Sequence, residues 1–153
     1  KEELIKKIKN LKDDYEQKIP SFSSYKIKGK PMFYYAKKGE IFEIKNHVNI
    51  KNIRINNIYF INNKKLLKNI LRKIDLVKGN FRQNEIKQRW EELLDSEDKN
   101  KKFLVIEFTI NCSSGTYIRA IADDLGSNYG GGLLMSLKRT KIGKFWVRDS
   151  LRV

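Results

Sequence analysis

Residues 103–126 read FLVIEFTINCSSGTYIRAIADDLG and contain the clearest structural pattern in the chain. Apolar and polar side chains alternate through residues 103–112, which predicts a strand with one buried face. A Ser-Ser-Gly turn follows, and the apolar residues after it recur at helical spacing as far as Gly126. The segment is therefore predicted to be a strand, a tight turn and a helix in immediate succession.

The rest of the chain mixes helical and extended patterns. We expect an amphipathic helix over residues 2–15, an extended segment over 22–29 with a turn at Gly29, and a short helix from Pro31 to Gly39. Two or three short strands are predicted between Ile41 and Ile61, with bulges or turns near Lys51 and Asn56-Asn57. Helices are predicted over 64–77 and about Ile86 to Leu94, on either side of Gly79-Asn80, and a final strand near Phe145 to Val147. This order, without an internal repeat or a linker, predicts the α+β class, with a mixed, mainly antiparallel sheet and flanking helices.

The charge balance suggests a polyanionic partner. The 153 residues include 33 Lys and Arg against 18 Asp and Glu, a formal net charge of +15. Such an excess is typical of nucleic-acid-binding proteins. The alternative is compositional drift, because the chain is rich in Lys, Asn and Ile, and some of its lysines then serve only solubility. Charge alone leaves both interpretations open.

Several classes of protein are disfavoured by what is rare in the sequence. One cysteine, Cys112, and one histidine, His47, cannot form a disulfide framework or a Cys/His zinc site, so no metal is expected. No apolar stretch is long enough to span a bilayer and no signal peptide is visible, so no membrane partner is expected. A lone cysteine fits the reducing cytoplasm. Because the chain opens at Lys1 and not at a methionine, we expect it to be a piece of a longer protein.

The turn at residues 113–115 has two interpretations. Its backbone N–H groups and hydroxyls meet the start of a helix, an arrangement that suits an anion such as an RNA phosphate. The alternative is helix capping, in which Ser113 or Ser114 accepts hydrogen bonds from the first free N–H groups.

Tyr117 and Arg119 add a feature that capping does not need. Residues two apart in a regular helix point about 200° away from each other, so these two side chains converge only if the helix starts after Tyr117. An arginine beside a buried stripe favours a carboxylate or phosphate partner, although an ordinary surface position is the alternative. We expect Cys112, Trp90 and Trp146 to be core residues and His47 to lie at the surface.

These residues closely resemble the bacterial tRNA pseudouridine-55 synthase family (TruB-like). The matching block consists of Cys112-Ser-Ser-Gly-Thr-Tyr-Ile-Arg119, Ala122-Asp-Asp-Leu-Gly126, the glycines at 130–132, Leu137-Lys-Arg-Thr140, Gly143 and Phe145. A looser block, Phe22-Ser-Ser-Tyr-Lys-Ile-Lys-Gly29 with Phe33, Ala36, Lys37 and Gly39, resembles a family segment that reads Tyr-Ser-Ala-x-Lys-x-x-Gly. Phe22 replaces the family tyrosine there and Ser24 the alanine.

The resemblance implies an isomerase that converts one uridine in the T-arm of tRNA to pseudouridine without a cofactor. Such an enzyme flips the target base out of its stack, and an aspartate of a Gly-x-Leu-Asp-Pro motif forms a covalent intermediate. No Leu-Asp-Pro occurs in this chain. The resemblance therefore implies that residues 1–153 are the C-terminal half of a catalytic domain, inactive alone, whose partner is the N-terminal half with the nucleophile.

The same resemblance implies roles for individual residues. Arg119 would pair with the missing aspartate, Tyr117 would line the uracil pocket, and Leu137 would pack near the base. Further positions implied to bind substrate or RNA are Lys26, Ser113, Ser114, Gly115, Thr116, Lys138 and Arg139. The basic run from Lys138, continued by Lys141, Lys144 and Arg148, is as typical of a phosphate track as of a solvated strand edge.

Residues 62–102 are predicted to depart from the family, in which a short hairpin joins the flanking strands. The first half is basic, with Lys64, Lys65, Lys68, Arg72, Lys73 and Lys78, and the second half is acidic, with Glu91, Glu92, Asp95, Glu97 and Asp98. The insertion either extends the RNA surface or is a structural decoration, and the acidic half disfavours RNA contact there.

Three other functions stay open. A non-catalytic RNA-binding remnant of the same fold would bind tRNA without isomerising it. A guide-RNA-dependent synthase would share the catalytic chemistry. A generic basic ribosome-associated protein would leave the Ser-Gly-Thr-Tyr-Ile-Arg block unexplained. Only the coding sequence upstream of Lys1 separates the remnant from the enzyme.

Overall fold

A computed structural model describes residues 1–79, 81–95 and 100–150. The helices are α1 (Glu2–Lys9), α2 (Met32–Ala36), α3 (Asn63–Asp75), α4 (Gln83–Asp95) and α5 (Ile118–Gly126). The strands are β1 (Asp13–Lys18), β2 (Lys26–Ile27), β3 (Lys30–Pro31), β4 (Lys45–Asn62), β5 (Lys102–Cys112), β6 (Lys141–Ile142) and β7 (Phe145–Trp146). Of the sequence features discussed above, Asn80, Glu97 and Asp98 lie outside the described residues.

The main sheet has three antiparallel strands in the order β1-β4-β5. Two small antiparallel hairpins, β2-β3 and β6-β7, lie outside it. The α+β class with an antiparallel sheet and flanking helices is thereby confirmed. The predicted strand at 103–112 is confirmed as β5, and the helix after the Ser-Ser-Gly turn is confirmed as α5.

Strand β4 is one continuous element of 18 residues, so the prediction of two or three short strands was wrong. The predicted positions of the bulges, near Lys51 and Asn56-Asn57, are confirmed. The register of β4 against β5 shifts between Ile50 and Asn52 and again between Ile55 and Asn57. A bulge inserts a residue and shifts the phase of the alternation without ending the ladder, which is why the sequence pattern looked like separate strands.

The predicted helix over residues 2–15 is correct only at its beginning. Helix α1 ends at Lys9, Asp13 takes a positive φ of 56°, and Tyr15 lies on β1 opposite Val48. The apolar spacing misled because Leu4, Leu11 and Tyr15 all contact the same core, the first from the helix and the last from the strand. Tertiary pairing with β4 thus decides the structure of residues 13–18.

Two separate hydrophobic clusters flank the sheet. In the first, α1 and α5 cover one face of the sheet with Ile8, Ile50, Ile121 and Leu125 at its centre. In the second, α3 and α4 pack on the far end of β4 and β5 around Ile61, Leu66 and Leu94, with Trp90 packed against them. Cys112 is partly buried against the first cluster and Trp90 packs against the second, so both are core residues as predicted.

The C-terminal segment leaves α5 through a close backbone approach. The N–H of Gly131 donates to the carbonyl of Gly126, and a Cβ on Gly132 would lie 1.8 Å from the carbonyl oxygen of Ala122. No side chain fits at that distance, so glycine is required at 132. The chain then has no regular structure until the β6-β7 hairpin.

The β6-β7 hairpin contains the strand predicted near residues 145–147, but Trp146 is not a core residue. Its side chain is 41% exposed, with Lys141 Nζ 4.6 Å and the Arg148 guanidinium 5.0 Å from its ring centroid. The prediction was wrong because an aromatic residue in a two-stranded hairpin has no second layer to pack on.

Tyr15 and Asp124 tie β1 to α5. The hydroxyl of Tyr15 donates a hydrogen bond to Asp124 Oδ2, and Lys7 Nζ donates to the Asp124 carbonyl. Burial, together with the hydrogen bond and the charge of Asp124, raises the pKa of Tyr15 above its ordinary value of 10.0. The two hydrogen bonds hold the consecutive elements α1 and β1 against α5, which is distant in sequence.

Replacing Ile121 by alanine is expected to destabilise the protein by about 2–5 kcal/mol, because Ile121 is 0% exposed at the centre of the first cluster. Ile142→Ala is the control, since Ile142 is 59% exposed on β6. Urea unfolding of the two variants measures the difference. Equal losses from both would contradict the placement of the core.

The raised pKa of Tyr15 predicts a loss of stability at alkaline pH. Below pH 10.0 the hydroxyl is protonated in both states, so its full contribution is present. Above it the unfolded chain ionises while the folded chain holds its proton, so stability falls. In Tyr15→Phe the fall of melting temperature from neutral to alkaline pH should be shallower than in the wild type.

The control for this measurement is Tyr34→Phe. Hydrogen bonds with Lys38 and Lys30 lower the pKa of Tyr34, so its removal has the opposite sign and should not flatten the curve. An unchanged alkaline limb in Tyr15→Phe would show that the Tyr15–Asp124 contact is not formed in solution.

Candidate functional site

The Ser-Ser-Gly turn is held by pairing with β4. Ser113 donates its backbone N–H to the carbonyl of Asn49 at 2.8 Å, and its Oγ accepts the Asn49 N–H at 2.9 Å. Thr116 Oγ1 closes the turn on the Ser113 carbonyl at 2.8 Å, and Gly115 has a φ of +84°. Neither serine occupies the N-cap position of α5, so the capping interpretation was wrong.

Helix α5 begins at Ile118, with Tyr117 at its N-cap in an extended conformation (φ −92°, ψ 99°). The condition for convergence of Tyr117 and Arg119 is therefore met. The backbone N–H of Tyr117 donates to Gln17 Oε1 at 2.8 Å, so a residue of β1 satisfies the free donor at this helix start. Gln17 is 2% exposed, and this contact fixes the backbone from which Tyr117 projects.

Arg119 joins the turn to the segment that follows β1. Its Nη2 donates to the carbonyl of Phe22 at 2.9 Å. With Phe22 and Ile41 it lines an open, largely apolar cleft of about 470 Å³. Among the described residues no carboxylate forms an ion pair with Arg119, whose side chain is exposed.

Lys26 lies on the β2-β3 hairpin, four residues after the Phe22 carbonyl that binds Arg119. The turn predicted at Gly29 is confirmed, since Lys28 and Gly29 both have positive φ. The hairpin is tied to α2 by the Met32 N–H, which donates to the Tyr25 carbonyl at 2.7 Å. The side chain of Lys26 is exposed and forms no ion pair within the described part of the chain.

The remaining predicted residues lie farther along the chain. Leu137, Lys138 and Arg139 are exposed in the irregular segment before β6. No hydrogen bond or ion pair within residues 1–79, 81–95 and 100–150 joins them to Tyr117 or Arg119. The structure thus brings Arg119 to the segment at residue 22 and the backbone of Tyr117 to Gln17 of β1, and leaves the basic run as a separate exposed surface.

Two contributors to the site were missed from the sequence. Gln17 falls just after the helix predicted over residues 2–15 and has no predicted role, and Asp124 appears only within a motif. Strand pairing buries Gln17 beside the helix start, and its Nε2 has no hydrogen-bond partner among the described residues. No local pattern in the sequence indicates either contact, because the partners are 100 and 109 positions apart.

Comparison with known proteins places these features in a family. Residues 1–81 match the family model described as "TruB family pseudouridylate synthase (N terminal domain)". The chain belongs to the TruB family. The match takes in β1, the β2-β3 hairpin, β4 and α3, and it confirms the resemblance inferred from the sequence blocks.

Curated relatives of this TruB-family chain are bacterial proteins named tRNA pseudouridine synthase B. The one from Prochlorococcus marinus is 31% identical over 147 residues, covering 95% of this chain and 34% of the relative. Those from Bifidobacterium longum subsp. infantis and Clostridium tetani are 31% and 28% identical, covering 92% and 99% of this chain and 32% and 38% of the relatives. The chain thus spans about a third of the length of these TruB-family relatives.

Within the described ranges, no group of three or more His, Cys, Asp and Glu side chains is arranged to hold a metal ion. No helix in the same residues is long and apolar enough to cross a membrane.

Gln17→Met is expected to expose the Tyr117 amide to hydrogen exchange, because the substitution removes the acceptor at 2.8 Å and leaves a free N–H at the helix start. The net loss of stability should be about 1 kcal/mol, since loss of the unpartnered Nε2 offsets part of the cost. Amide exchange followed by NMR and urea unfolding measure the two effects.

The matched control is Gln88→Met on the exposed surface of α4. It should leave the exchange rate of the Tyr117 amide unchanged and stability within about 0.5 kcal/mol of the wild type. Wild-type protection of the Tyr117 amide in Gln17→Met would show that Gln17 does not hold the start of α5.

Proposed function

We propose that this chain is part of a cytoplasmic tRNA pseudouridine synthase that isomerises a uridine in the T-arm of tRNA. Membership of the TruB family and the names of its relatives support the reaction class. The observation that carries the proposal is the start of α5 after Tyr117, with Arg119 bonded to Phe22 across the cleft. Arg119 of the first sequence block is thus bonded to Phe22 of the second block.

Arg119 is suited to hold a carboxylate. A guanidinium has five N–H donors in a planar fork, and the carbonyl of Phe22 accepts from one of its terminal nitrogens. The remaining donors face no carboxylate of the described chain. We propose that they bind the nucleophilic aspartate of a segment outside these 153 residues. A guanidinium at that position would keep the aspartate ionised and oriented for attack.

Tyr117 is proposed to line the pocket for the flipped uracil. An enzyme that acts on a base in a folded RNA must take the base out of its stack and receive it between side chains. Tyr117 is half-buried, and its backbone is fixed by buried Gln17, so its ring can be presented without a large loss of entropy on binding.

The RNA contacts are proposed to come from the β2-β3 hairpin, from the turn before α5 and from the separate exposed segment before β6. Lys26 extends from the β2-β3 hairpin, and Lys138 and Arg139 follow Leu137 in the exposed segment before β6. Further contacts are proposed for the turn residues Ser113, Ser114, Gly115 and Thr116. Each lysine or arginine that neutralises a phosphate releases counterions, so binding of tRNA should weaken steeply with salt.

The partner of this chain is proposed to be the N-terminal half of its own catalytic domain. Large apolar side chains are exposed around the cleft, namely Phe22, Tyr25, Phe33 and Ile41. Strand β5 is an edge of the main sheet in the described residues, with 11 residues available for pairing. Exposed apolar groups and an unpaired strand edge are features that a neighbouring part of the same domain covers. In this proposal the helices of residues 62–102 are an insertion between β4 and β5.

The test is Arg119→Lys in the full-length protein. Lysine keeps the charge but loses the planar fork, so kcat for pseudouridine formation should fall by about 10²–10³ with little change of KM for tRNA. Release of tritium from tRNA labelled at uridine C5 measures turnover, and Arg54→Lys on the exposed face of β4 is the matched control. A fall in both variants alike would remove the proposed role of Arg119.

The RNA-binding remnant is distinguished in the same assay. If the full-length wild type binds tRNA but releases no tritium, catalysis is excluded and the remnant becomes the function. Turnover that requires an added guide RNA would instead identify the guide-dependent class.

A further inference from the structure

Helix α3 carries a line of cations that the site described above does not use. At about 100° per residue, Lys64, Lys65, Lys68 and Arg72 fall within one arc of about 100° on the helix surface. All four side chains are exposed. The opposite side of the helix is buried on the far end of the sheet through Leu66. We define these four cations as the α3 arc.

The α3 arc has no anionic partner in the described residues. None of its members forms an ion pair within residues 1–79, 81–95 and 100–150. The nearest acid on the same helix, Asp75, is paired with Lys87 of α4. Glu85 of α4 lies 4.0 Å from Arg82 and from Arg89. Asp75 and Glu85 are thus engaged by cations outside the arc.

The stability of α3 does not explain why cations occupy the four positions of the α3 arc. The first turn of α3 contains Lys64 and Lys65 and no acidic residue, although the positive end of the helix dipole favours acids there. Lys68 is four residues from both Lys64 and Arg72, and like charges at that spacing repel. The helix begins nevertheless, because Asn62 Oδ1 accepts the Lys65 N–H at 2.9 Å. The lysines near the start therefore lower the stability of a helix that is otherwise well capped, whereas Arg72 in the last turn is favourably placed.

The α3–α4 pair also touches the region of the candidate site. Lys37, at the end of α2, lies 5.4 Å from the ring centroid of Phe81 and 5.7 Å from that of Phe33. Phe81 belongs to the connection between α3 and α4, whereas Phe33 belongs to α2. The connection between α3 and α4 is therefore in contact with the end of α2, which follows Phe22 in the chain.

We propose that the α3 arc binds the phosphate backbone of RNA, as a second contact surface beyond the uridine site. Lys64, Lys68 and Arg72 repeat about every 6 Å along the helix axis, which presents a row of charges to an extended polyanion. A protein partner is disfavoured, because lysine is depleted in protein interfaces and the arc contains no aromatic side chain. The proposal rests on the proposed function for the identity of the RNA, which is tRNA.

The test compares two fourfold variants of the full-length protein. The arc variant is Lys64→Gln, Lys65→Gln, Lys68→Gln and Arg72→Gln. The control variant is Lys6→Gln, Lys9→Gln, Lys12→Gln and Arg54→Gln, which removes the same charges from exposed positions on or near α1 and on β4. Binding of unmodified tRNA is measured by filter retention over a series of KCl concentrations, and circular dichroism confirms that both variants are folded.

The arc variant should bind tRNA about tenfold or more weakly at moderate salt, and the slope of log K against log salt should become shallower by about 3. The control variant should change the slope by less than about 1. Wild-type affinity and slope in the arc variant would overturn the proposal. Equal weakening of both variants would also overturn it, because the effect would then be one of net charge.

Two further outcomes separate the possible errors. If poly-L-glutamate binds the wild type but not the arc variant while the tRNA slope is unchanged, the arc serves an acidic protein and the RNA assignment is wrong. Pseudouridine formation at saturating tRNA is measured in parallel and should be retained by the arc variant. If the wild type is inactive but the arc variant has a shallower salt slope than the wild type, only the proposed function is refuted. If the wild type is active and the two salt slopes are equal, only RNA binding by the α3 arc is refuted.

Discussion

The antiparallel ladder along β4 is the constraint on which the candidate site depends. β1 pairs with its first third and β5 with most of its length, so the three strands share one register. Gln17 lies opposite Asn46 on one side of β4, and Ser113 bonds Asn49, three residues farther along, on the other side. Because side chains alternate along a strand, a slip of one residue would point Gln17 away from Tyr117. The register of the sheet therefore determines the geometry of the Ser-Ser-Gly turn before α5.

The two bulges in β4 allow one paired strand to contribute side chains to two different hydrophobic clusters. From Ile50 to Ile55 the strand packs on the layer formed by α1 and α5, and beyond Asn57 it packs on the layer formed by α3 and α4. An extra residue changes which side chains face a given layer and increases the local twist. The cost is an interrupted ladder at two points. The gain is that one long strand connects two helical layers.

The sequence predicted elements well where a single periodicity controlled them. β5, α5 and both bulge positions were found from alternation and helical spacing, and the family resemblance rested on contiguous motifs. The failures have a common cause. Tyr15 was placed on a helix because its spacing fits a helix as well as a strand that packs on the same core. Gln17 was overlooked, and Trp146 misjudged, because each depends on whether a distant element covers it, which local pattern does not encode.

Because the two hydrophobic clusters are separate, substitutions in α3 and α4 have little effect on the cluster beneath the turn. Leu66 and Leu94 pack with the far end of β4 and β5, while Ile121 and Ile50 belong to the cluster beneath the turn. Substitutions in groups that share no partner act on stability almost independently. Surface charges on α3 can therefore change without disturbing the register that positions Tyr117. The sequence of the exposed surface of α3 can therefore vary without affecting the candidate site. The turn before α5 cannot vary in this way, because it is held by contacts from every strand of the sheet.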